Sequence, residues 1–267
     1  MPTMRIDAHT HGDIAKLTML PAEYAAKCRA IGIERVLLIA DPEPCRAAFQ
    51  ALPDFVIPVP WVDIDKVKVK EIHDCFDWGA KGIKFIDPQF SYGDTRYDPL
   101  YRAIFERDGV CMFHTGYIAS GLDDYGLPSK TRPTDIALMR PSAVDSMARR
   151  HRKLRILMAH FGNPWWEEAW KITWSNPNVH AELSGGTAYR RSLRMWEDIF
   201  APNGNLDVET LNRVLFATDV VIFTHPGQEG FEGYFEFYDR LYSVIKAPAE
   251  LREKINRGTA IELFKLG

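Results

Sequence analysis

Near its start the chain reads MRIDAHTHGD at residues 4–13, where His9 and His11 follow a short apolar run. We expect residues 4–8 to form a β-strand, and side chains two apart on a strand point to the same face. The two imidazoles then project together, with Cα atoms roughly 7 Å apart, within reach of one ion. Because a solvated strand edge explains such a pair equally well, the rest of the chain has to supply further ligands.

The composition is that of a globular protein with an ample core, since 46% of the 267 residues are hydrophobic and 26% are charged. A net charge of −3 argues against a nucleic-acid partner, which requires a concentrated basic surface. The sequence contains neither a signal-peptide pattern nor an apolar run that could cross a membrane. Four widely spaced cysteines indicate free thiols in a reducing compartment. We therefore expect one cytoplasmic domain over 1–267 that acts on a small molecule.

Eight apolar or β-branched runs alternate with helix-like stretches along the chain. These runs occupy residues 4–8, 35–40, 56–62, 82–86, 110–114, 155–160, 178–184 and 213–219. The alternation indicates a parallel sheet covered by helices, and eight such units in about 250 residues fit a (β/α)8 TIM barrel. An open doubly wound sheet is the alternative, but no glycine-rich phosphate turn follows the first run.

Polar side chains occur on the predicted strands, nearly all at the carboxyl end. In chain order they are His9, His11, Lys84, His114, His160 and Asp219, of which only Lys84 lies inside its strand. Active sites of TIM barrels lie at this end of the strands. On the sixth strand, alternation places Ile156 and Met158 on the face of His160, and on the eighth it places Leu215 with Asp219. We expect all six polar groups to converge at the mouth of the barrel.

Neutral imidazoles and carboxylate oxygens are typical ligands of divalent metals. We expect Zn²⁺, with Mn²⁺ as the alternative. A bound ion lowers the pKa of its water from near 16 toward about 7, and Asp219 would orient that water and pass on its proton. Each residue alone has an ordinary structural explanation, such as a helix cap for Asp219. Their joint placement favours a metal site, whereas His73, His151 and His180 do not lie at strand ends.

The motifs IDAHTH, GIKF, FHTG, AHFGNPWW, LFATD and GTAIELFKL, in this order, resemble the amidohydrolase superfamily. The resemblance runs nearly end to end and is strongest to the amidohydrolase-2 branch, which includes decarboxylases related to aminocarboxymuconate semialdehyde decarboxylase. It implies that His9, His11, His114 and Asp219 are metal ligands and that Asp7 supports them. It also implies that His160 is a second-metal ligand in a binuclear site or a free catalytic histidine in a mononuclear one.

Lys84 matches the position where binuclear members of the superfamily carry a bridging carboxylated lysine. A carboxylated Lys84 would hold a second ion together with His114 and His160, and a bridging hydroxide would attack a carbonyl. As an ammonium it would repel a second ion and anchor an anionic substrate. A structural lysine is the third alternative, and the sequence leaves all three open.

The activity that we expect is hydrolysis of a small lactone, ester or amide by metal-activated water. The alternative is non-oxidative decarboxylation of a small acid, aromatic acids included. Decarboxylases of this branch often carry an acidic residue where His9 stands and are usually longer, which favours the hydrolase. A barrel that binds a ligand without catalysis is a third alternative.

Further candidates lie around the expected mouth. Trp165 could wall a substrate pocket and Arg190 could clamp a substrate carboxylate, with helix packing and solvation as the respective alternatives. His225 follows the eighth strand, and residues 117–133 form the longest irregular stretch, which we expect to cover the mouth. The aromatic segment 231–242 fits either the core or the interface of a homo-oligomer.

Overall fold

The computed structural model describes residues 2–118, 135–185, 188–224 and 230–267. Its strands are β1 (Arg5–Gly12), β2 (Ile33–Ile39), β3 (Val56–Pro58), β4 (Gly82–Phe85), β5 (Val110–His114), β6 (Arg155–Ala159), β7 (Val179–Glu182), β8 (Val214–Leu215) and β9 (Val220–Ile222). Its α-helices are α1 (Pro21–Ala30), α2 (Pro42–Ala51), α3 (Val69–Asp77), α4 (Asp98–Glu106), α5 (Ser142–Arg150), α6 (Trp166–Ser175), α7 (Leu193–Phe200), α8 (Val208–Leu211), α9 (Phe231–Val244), α10 (Ala249–Glu253) and α11 (Thr259–Phe264).

The strands form two parallel sheets, in the orders β3-β2-β1-β9 and β4-β5-β6-β7-β8. Backbone hydrogen bonds join the sheets at both seams. At one seam the Lys84 amide donates to the Pro60 carbonyl at 2.9 Å, and at the other the Ala8 amide donates to the Phe216 carbonyl at 2.9 Å. The strands therefore close into a cylinder surrounded by helices, which confirms the predicted (β/α)8 architecture.

Two apolar clusters follow from the alternation along the strands. The inner cluster fills the cylinder with side chains such as Leu37, Met112 and Leu215, while the outer cluster packs the opposite strand faces against the helices. Phe264 of α11 belongs to the inner cluster and closes the cylinder near the start of β4. The carboxyl ends of the strands remain as the open end.

β1 extends beyond the predicted residues 4–8, so both of its histidines lie within the strand. Asp7 pairs with Val36 and Thr10 with Leu38, so β1 has one residue more than β2 between these pairs. This β-bulge shifts the side-chain alternation, and it places His11 opposite Ile39 of the inner cluster.

β6 ends one residue earlier than predicted, at Ala159. Leu157 and Ala159 belong to the inner cluster, whereas Ile156 and Met158 face the helices. The prediction that Ile156 and Met158 share the face of His160 was therefore wrong. His160 turns toward the mouth because the strand stops and its backbone enters the left-handed region, with φ of 63°.

The eighth strand is short and is followed by a pairing that the sequence did not predict. β8 covers two residues, and β9 pairs in parallel with the end of β1. Asp219 lies between them with φ of 68°. The sequence predicted that Leu215 and Asp219 share a face. Leu215 does lie on the inner face of the barrel, in agreement with that prediction.

The aromatic face of α9 is buried within the fold. Its buried side chains are Phe231, Tyr234, Phe237, Tyr238, Leu241 and Tyr242. The Tyr238 hydroxyl donates to the Leu215 carbonyl at 3.1 Å and so ties the helix to β8. Core packing explains this face, which therefore gives no support to a homo-oligomer. All four cysteines are buried and form no disulfide bond, and the described helices include none that could span a bilayer.

Candidate metal centre

Three predicted ligands meet at the seam between β1 and the segment after β8. The Nε2 atoms of His9 and His11 lie 3.2 Å apart. Asp219 Oδ1 lies 3.3 Å from Nε2 of His9 and 3.2 Å from Nε2 of His11. The Asp219 amide also donates to the His9 carbonyl at 2.7 Å, which fixes the aspartate against β1.

The Nδ1 atom of each imidazole has a hydrogen-bond partner outside the cluster, so Nε2 is the atom that faces the other ligands. His9 Nδ1 donates to Glu182 Oε1 at 2.7 Å, and His11 Nδ1 donates to the Ile39 carbonyl at 2.9 Å. Burial holds the pKa of His9 well below its usual value, so the ring is neutral at pH 7. Two Nε2 atoms and a carboxylate oxygen thus face one another, an arrangement that a cation stabilises.

The spacing of these three atoms fits a metal ion. Donors about 2.0–2.1 Å from a tetrahedral zinc ion lie about 3.3 Å from one another. The observed separations are 3.2, 3.2 and 3.3 Å. Burial acts to raise the pKa of Asp219, but a hydrogen bond from His11 opposes it, and the net shift takes that pKa below its usual range. The carboxyl group is therefore ionised, as a ligand must be.

Glu182, at the end of β7, is the site residue that sequence reasoning missed. It is fully buried, and its Oε1 accepts hydrogen bonds from His9 Nδ1, the His160 amide and the Ser184 hydroxyl at 2.7, 3.1 and 2.9 Å. Burial raises the pKa of Glu182, whereas His160, Ser184 and Lys84 lower it. The available signal was an acidic residue two positions before the end of the predicted strand 178–184, whereas Asp219 is the last residue of its predicted strand.

His160 lies beside His9, with ring centroids 4.8 Å apart. Its Nδ1 is 2.9 Å from the Ser184 hydroxyl oxygen, and that hydroxyl donates to Glu182, so Nδ1 is the donor and Nε2 carries the lone pair. Burial lowers the pKa of His160 to about 4, which makes it neutral at pH 7. Gly185 has φ of +92°, and a Cβ there would lie 3.0 Å from His160 Nδ1, so a side chain would press on this ring.

His114 extends the row of rings on the far side of His160, with centroids 4.7 Å apart. Its pKa is held well below the usual value, mainly by burial and then by His160 and Lys84. Among the described residues, His9–His11–Asp219 and His9–His160–Glu182 form the clusters that could hold an ion, and His114 is in neither. Its buried Nε2 has no hydrogen-bond partner within the described part of the chain.

Lys84, on β4, is buried with 3% of its surface exposed. Its ammonium nitrogen makes no hydrogen bond with any residue that the structure describes. Burial lowers the pKa of Lys84 to about 8, and the carboxylates of Glu182 and Asp219 act in the opposite direction. The group is therefore mainly a cation at pH 7, and its charge calls for an anionic partner.

Asp7 does not point into the cluster but connects the strands that carry it. Its Oδ1 accepts from the amides of His9 and Thr218 at 3.1 and 3.0 Å, and its Oδ2 accepts from the Thr218 hydroxyl at 2.6 Å. This carboxyl group holds β1 to the residue preceding Asp219. The supporting position suggested for Asp7 by the resemblance agrees with these contacts.

Trp165 and Arg190 lie outside the cluster. Trp165 lines a groove of about 960 Å³ whose lining includes α6 and α7 residues and none of the cluster residues, and the Arg140 guanidinium lies 4.8 Å from its ring. Arg190 is exposed, with its guanidinium 5.7 Å from the ring of Tyr189. Substrate contacts by Trp165 and Arg190 stay predictions. His225 and most of the stretch 117–133 lie outside the described residues.

Fold and site together define a class of protein, the parallel α/β barrels with histidine and carboxylate ligands at the carboxyl ends of the strands. The model of the amidohydrolase family matches residues 6–266, and the chain belongs to that family. It is thus an amidohydrolase-superfamily enzyme, as the sequence predicted. No curated protein sequence matches it.

Solved structures similar to this chain share its fold over nearly the whole length. The uncharacterised TIM-barrel protein Bb4693 from Bordetella bronchiseptica is 17% identical, with 98% of each chain covered and a TM-score of 0.70. A 2,6-dihydroxybenzoate decarboxylase from Rhizobium is 16% identical, with 99% of each chain covered and a TM-score of 0.62. An amidohydrolase from Burkholderia multivorans with bound zinc is 16% identical, with 99% of this chain and 100% of that chain covered and a TM-score of 0.64.

Proposed function

We propose that this protein is a metal-dependent carboxy-lyase that removes CO₂ without oxidation from a small carboxylic acid. The observation that carries the proposal is the buried ammonium of Lys84, which has no hydrogen-bond partner among the described residues and interacts with the charges of Glu182 and Asp219. A cation in that position suits a substrate that brings its own carboxylate, and decarboxylation is a reaction of such acids. Similarity in fold to 2,6-dihydroxybenzoate and 5-carboxyvanillate decarboxylases adds support. The hydrolase that we expected from the sequence becomes the second candidate.

One divalent ion would be held by His9, His11 and Asp219. His114 is proposed as a further ligand because its buried Nε2 lacks a partner within the described residues. The second cluster is a poor ion site because His9 Nδ1 and the Ser184 hydroxyl already donate to Glu182. Zinc or manganese fits this donor set, and a manganese-bound dihydroxybenzoic acid decarboxylase from Polaromonas shares the fold.

When bound, the ion supplies a Lewis acid that stabilises negative charge on a substrate oxygen next to the reacting carbon. Lys84 pairs with the substrate carboxylate and orients it. His160 Nε2 accepts the proton of a substrate hydroxyl and returns it to the carbon from which CO₂ departs. The C–C bond breaks with its electron pair left on that carbon, and each turnover takes up one proton from solvent.

Hydrolysis remains the second candidate because of His9. Decarboxylases resembling this chain often have an acidic residue at that position, whereas His9 presents an imidazole to the cluster. A probable 2-pyrone-4,6-dicarboxylic acid hydrolase from Acinetobacter baumannii also shares the fold. Lys84 would then pair with a carboxylate remote from the bond that is cleaved.

The deciding experiment combines metal analysis with product analysis. We expect one zinc or manganese ion per chain, and CO₂ release with proton uptake from 2,6-dihydroxybenzoate or 5-carboxyvanillate. The D219N variant serves as the control, because it loses a charged ligand and should lose both metal and turnover. Acid release from 2-pyrone-4,6-dicarboxylate without CO₂ would establish the hydrolase instead. Two ions per chain would point to a carboxylated Lys84.

A further inference from the structure

Glu182 contacts both histidines on which the proposed reaction depends. Its Oε1 accepts from His9 Nδ1 at 2.7 Å and from the His160 amide at 3.1 Å. Ser184, two residues further along and on the same side of the chain, donates its hydroxyl to this oxygen at 2.9 Å. The Ser184 oxygen in turn accepts from His160 Nδ1 at 2.9 Å. One buried carboxylate is thus linked to His9 directly and to the side chain of His160 through a serine.

We propose that Glu182 is a positioning residue that fixes the tautomers of His9 and, through Ser184, of His160. A free imidazole in water favours the form with its proton on Nε2, whereas a partner on Nδ1 reverses that preference. With the proton held on Nδ1, His9 keeps its Nε2 lone pair for an ion and His160 keeps its own for a substrate proton. Only these two uses of Nε2 rest on the proposed function. The tautomers themselves follow from the contacts.

The two contacts can be separated by substitution. Glu182→Gln replaces one acceptor oxygen by an NH₂ donor, which cannot satisfy the donors around Glu182. His9 then loses the partner that holds its Nδ1 proton. Ser184→Ala removes the link to His160 and leaves the shorter contact of His9 with Glu182 at 2.7 Å, since Ser184 Oγ lies 3.2 Å from His9 Nδ1.

The test is ¹⁵N NMR of histidine-labelled, metal-free protein at neutral pH, with His9 and His160 assigned from single His→Gln variants. In wild type we expect both rings in the Nδ1–H form. Ser184→Ala should shift His160 toward the Nε2–H form and leave His9 unchanged, whereas Glu182→Gln should shift both. Zinc affinity, measured by chelator competition, should fall about 10- to 100-fold in Glu182→Gln and stay close to wild type in Ser184→Ala.

An Nε2–H form of either ring in wild type would overturn the inference. An equal loss of zinc affinity in the two variants would also overturn it, because the contact of Glu182 with His9 would then depend on Ser184 as well. If Glu182→Gln does not fold, Ser184→Ala decides alone, through retention or loss of the Nδ1–H form of His160. The NMR result requires neither metal nor turnover, so a failed proposed function leaves it interpretable. The exposed Glu209→Gln serves as the matched control and should change neither tautomer.

Discussion

At the scale of single residues, Lys84 is the group to which we assign recognition of the substrate carboxylate. A hydrogen bond between charged groups in a buried site contributes about 1.5–3 kcal/mol. We expect Lys84→Met, which keeps the length of the side chain and removes its charge, to lower kcat/KM for a carboxylated substrate about 10- to 100-fold. Lys81→Met, at an exposed position just before β4, is the matched control and should change kcat/KM little.

The same charge predicts a pH dependence. Because burial lowers the pKa of Lys84 to about 8, the ammonium is present below that pH and is lost as the pH rises through it. We expect kcat/KM to decline above about pH 8 in wild type and to lack this decline in Lys84→Met. A bound divalent ion disfavours the ammonium further and moves the decline to lower pH. A wild-type profile that stays flat to about pH 10, near the ordinary pKa of a lysine, would contradict the assigned role.

Sequence reasoning succeeded at this scale where a residue stands out by chemical type. His9, His11 and Asp219 were predicted to converge, and their ligand atoms lie within 3.3 Å of one another. Glu182 was missed because an acidic residue in a strand is common and its significance depends on what it faces. Only the fold reveals that the Glu182 carboxylate lies within hydrogen-bond distance of His9 Nδ1.

At the scale of elements, the positions of the eight strands along the chain were predicted well, but the runs 56–62 and 213–219 were too long for β3 and β8, and the irregularities of the strands were not predicted. β5 matches its predicted residues 110–114, because its apolar run ends at a histidine. The bulge in β1 and the early end of β6 depend on pairing with neighbouring strands, which the sequence of one strand does not contain. Both irregularities change which face a histidine occupies, so alternation alone assigned the face of His160 incorrectly.

The turn at 160–163, which carries His160, leads to a prediction about the loop packed against it. Gly116 has φ of +115°, and a Cβ there would lie 2.3 Å from the Asn163 carbonyl oxygen. We expect Gly116→Ala to lower the free energy of unfolding by more than about 2 kcal/mol and to lower kcat, since the turn must move. Urea denaturation and steady-state kinetics measure the two effects.

Gly204→Ala is the control for this substitution. Gly204 also has a left-handed backbone, with φ of +77°, but a Cβ there would have no atom of the described residues within 4 Å. It should therefore show only the backbone cost, about 1 kcal/mol, with kcat unchanged. Equal losses of stability in the two variants would mean that the contact with Asn163 is unimportant.

At the scale of the whole molecule, the candidate centre lies beside the seam where β8 meets β1. His9 and His11 belong to β1, and Asp219 lies in the segment that runs from β8 of one sheet to β9, which pairs with β1 in the other. The backbone bonds from Ala8 to Phe216 and from Asp219 to His9 are 2.9 and 2.7 Å long. An ion held by β1 and the segment between β8 and β9 would therefore stabilise the point where the barrel closes. That residues 1–267 form a single domain stays a prediction.

Metal binding should accordingly stabilise this seam more than the other. A ligand that binds only the folded protein raises the free energy of unfolding by about 2.7 kcal/mol when its free concentration is a hundred times its Kd. We expect zinc to raise Tm by roughly 5 °C or more and to slow hydrogen exchange in β1 and β9. Hydrogen exchange at the opposite seam, where a β-bridge joins the backbones of Lys84 and Trp61, should slow much less. In His11→Ala zinc should produce neither effect, and equal protection of both seams in wild type would mean that the ion does not act locally where β8 meets β1.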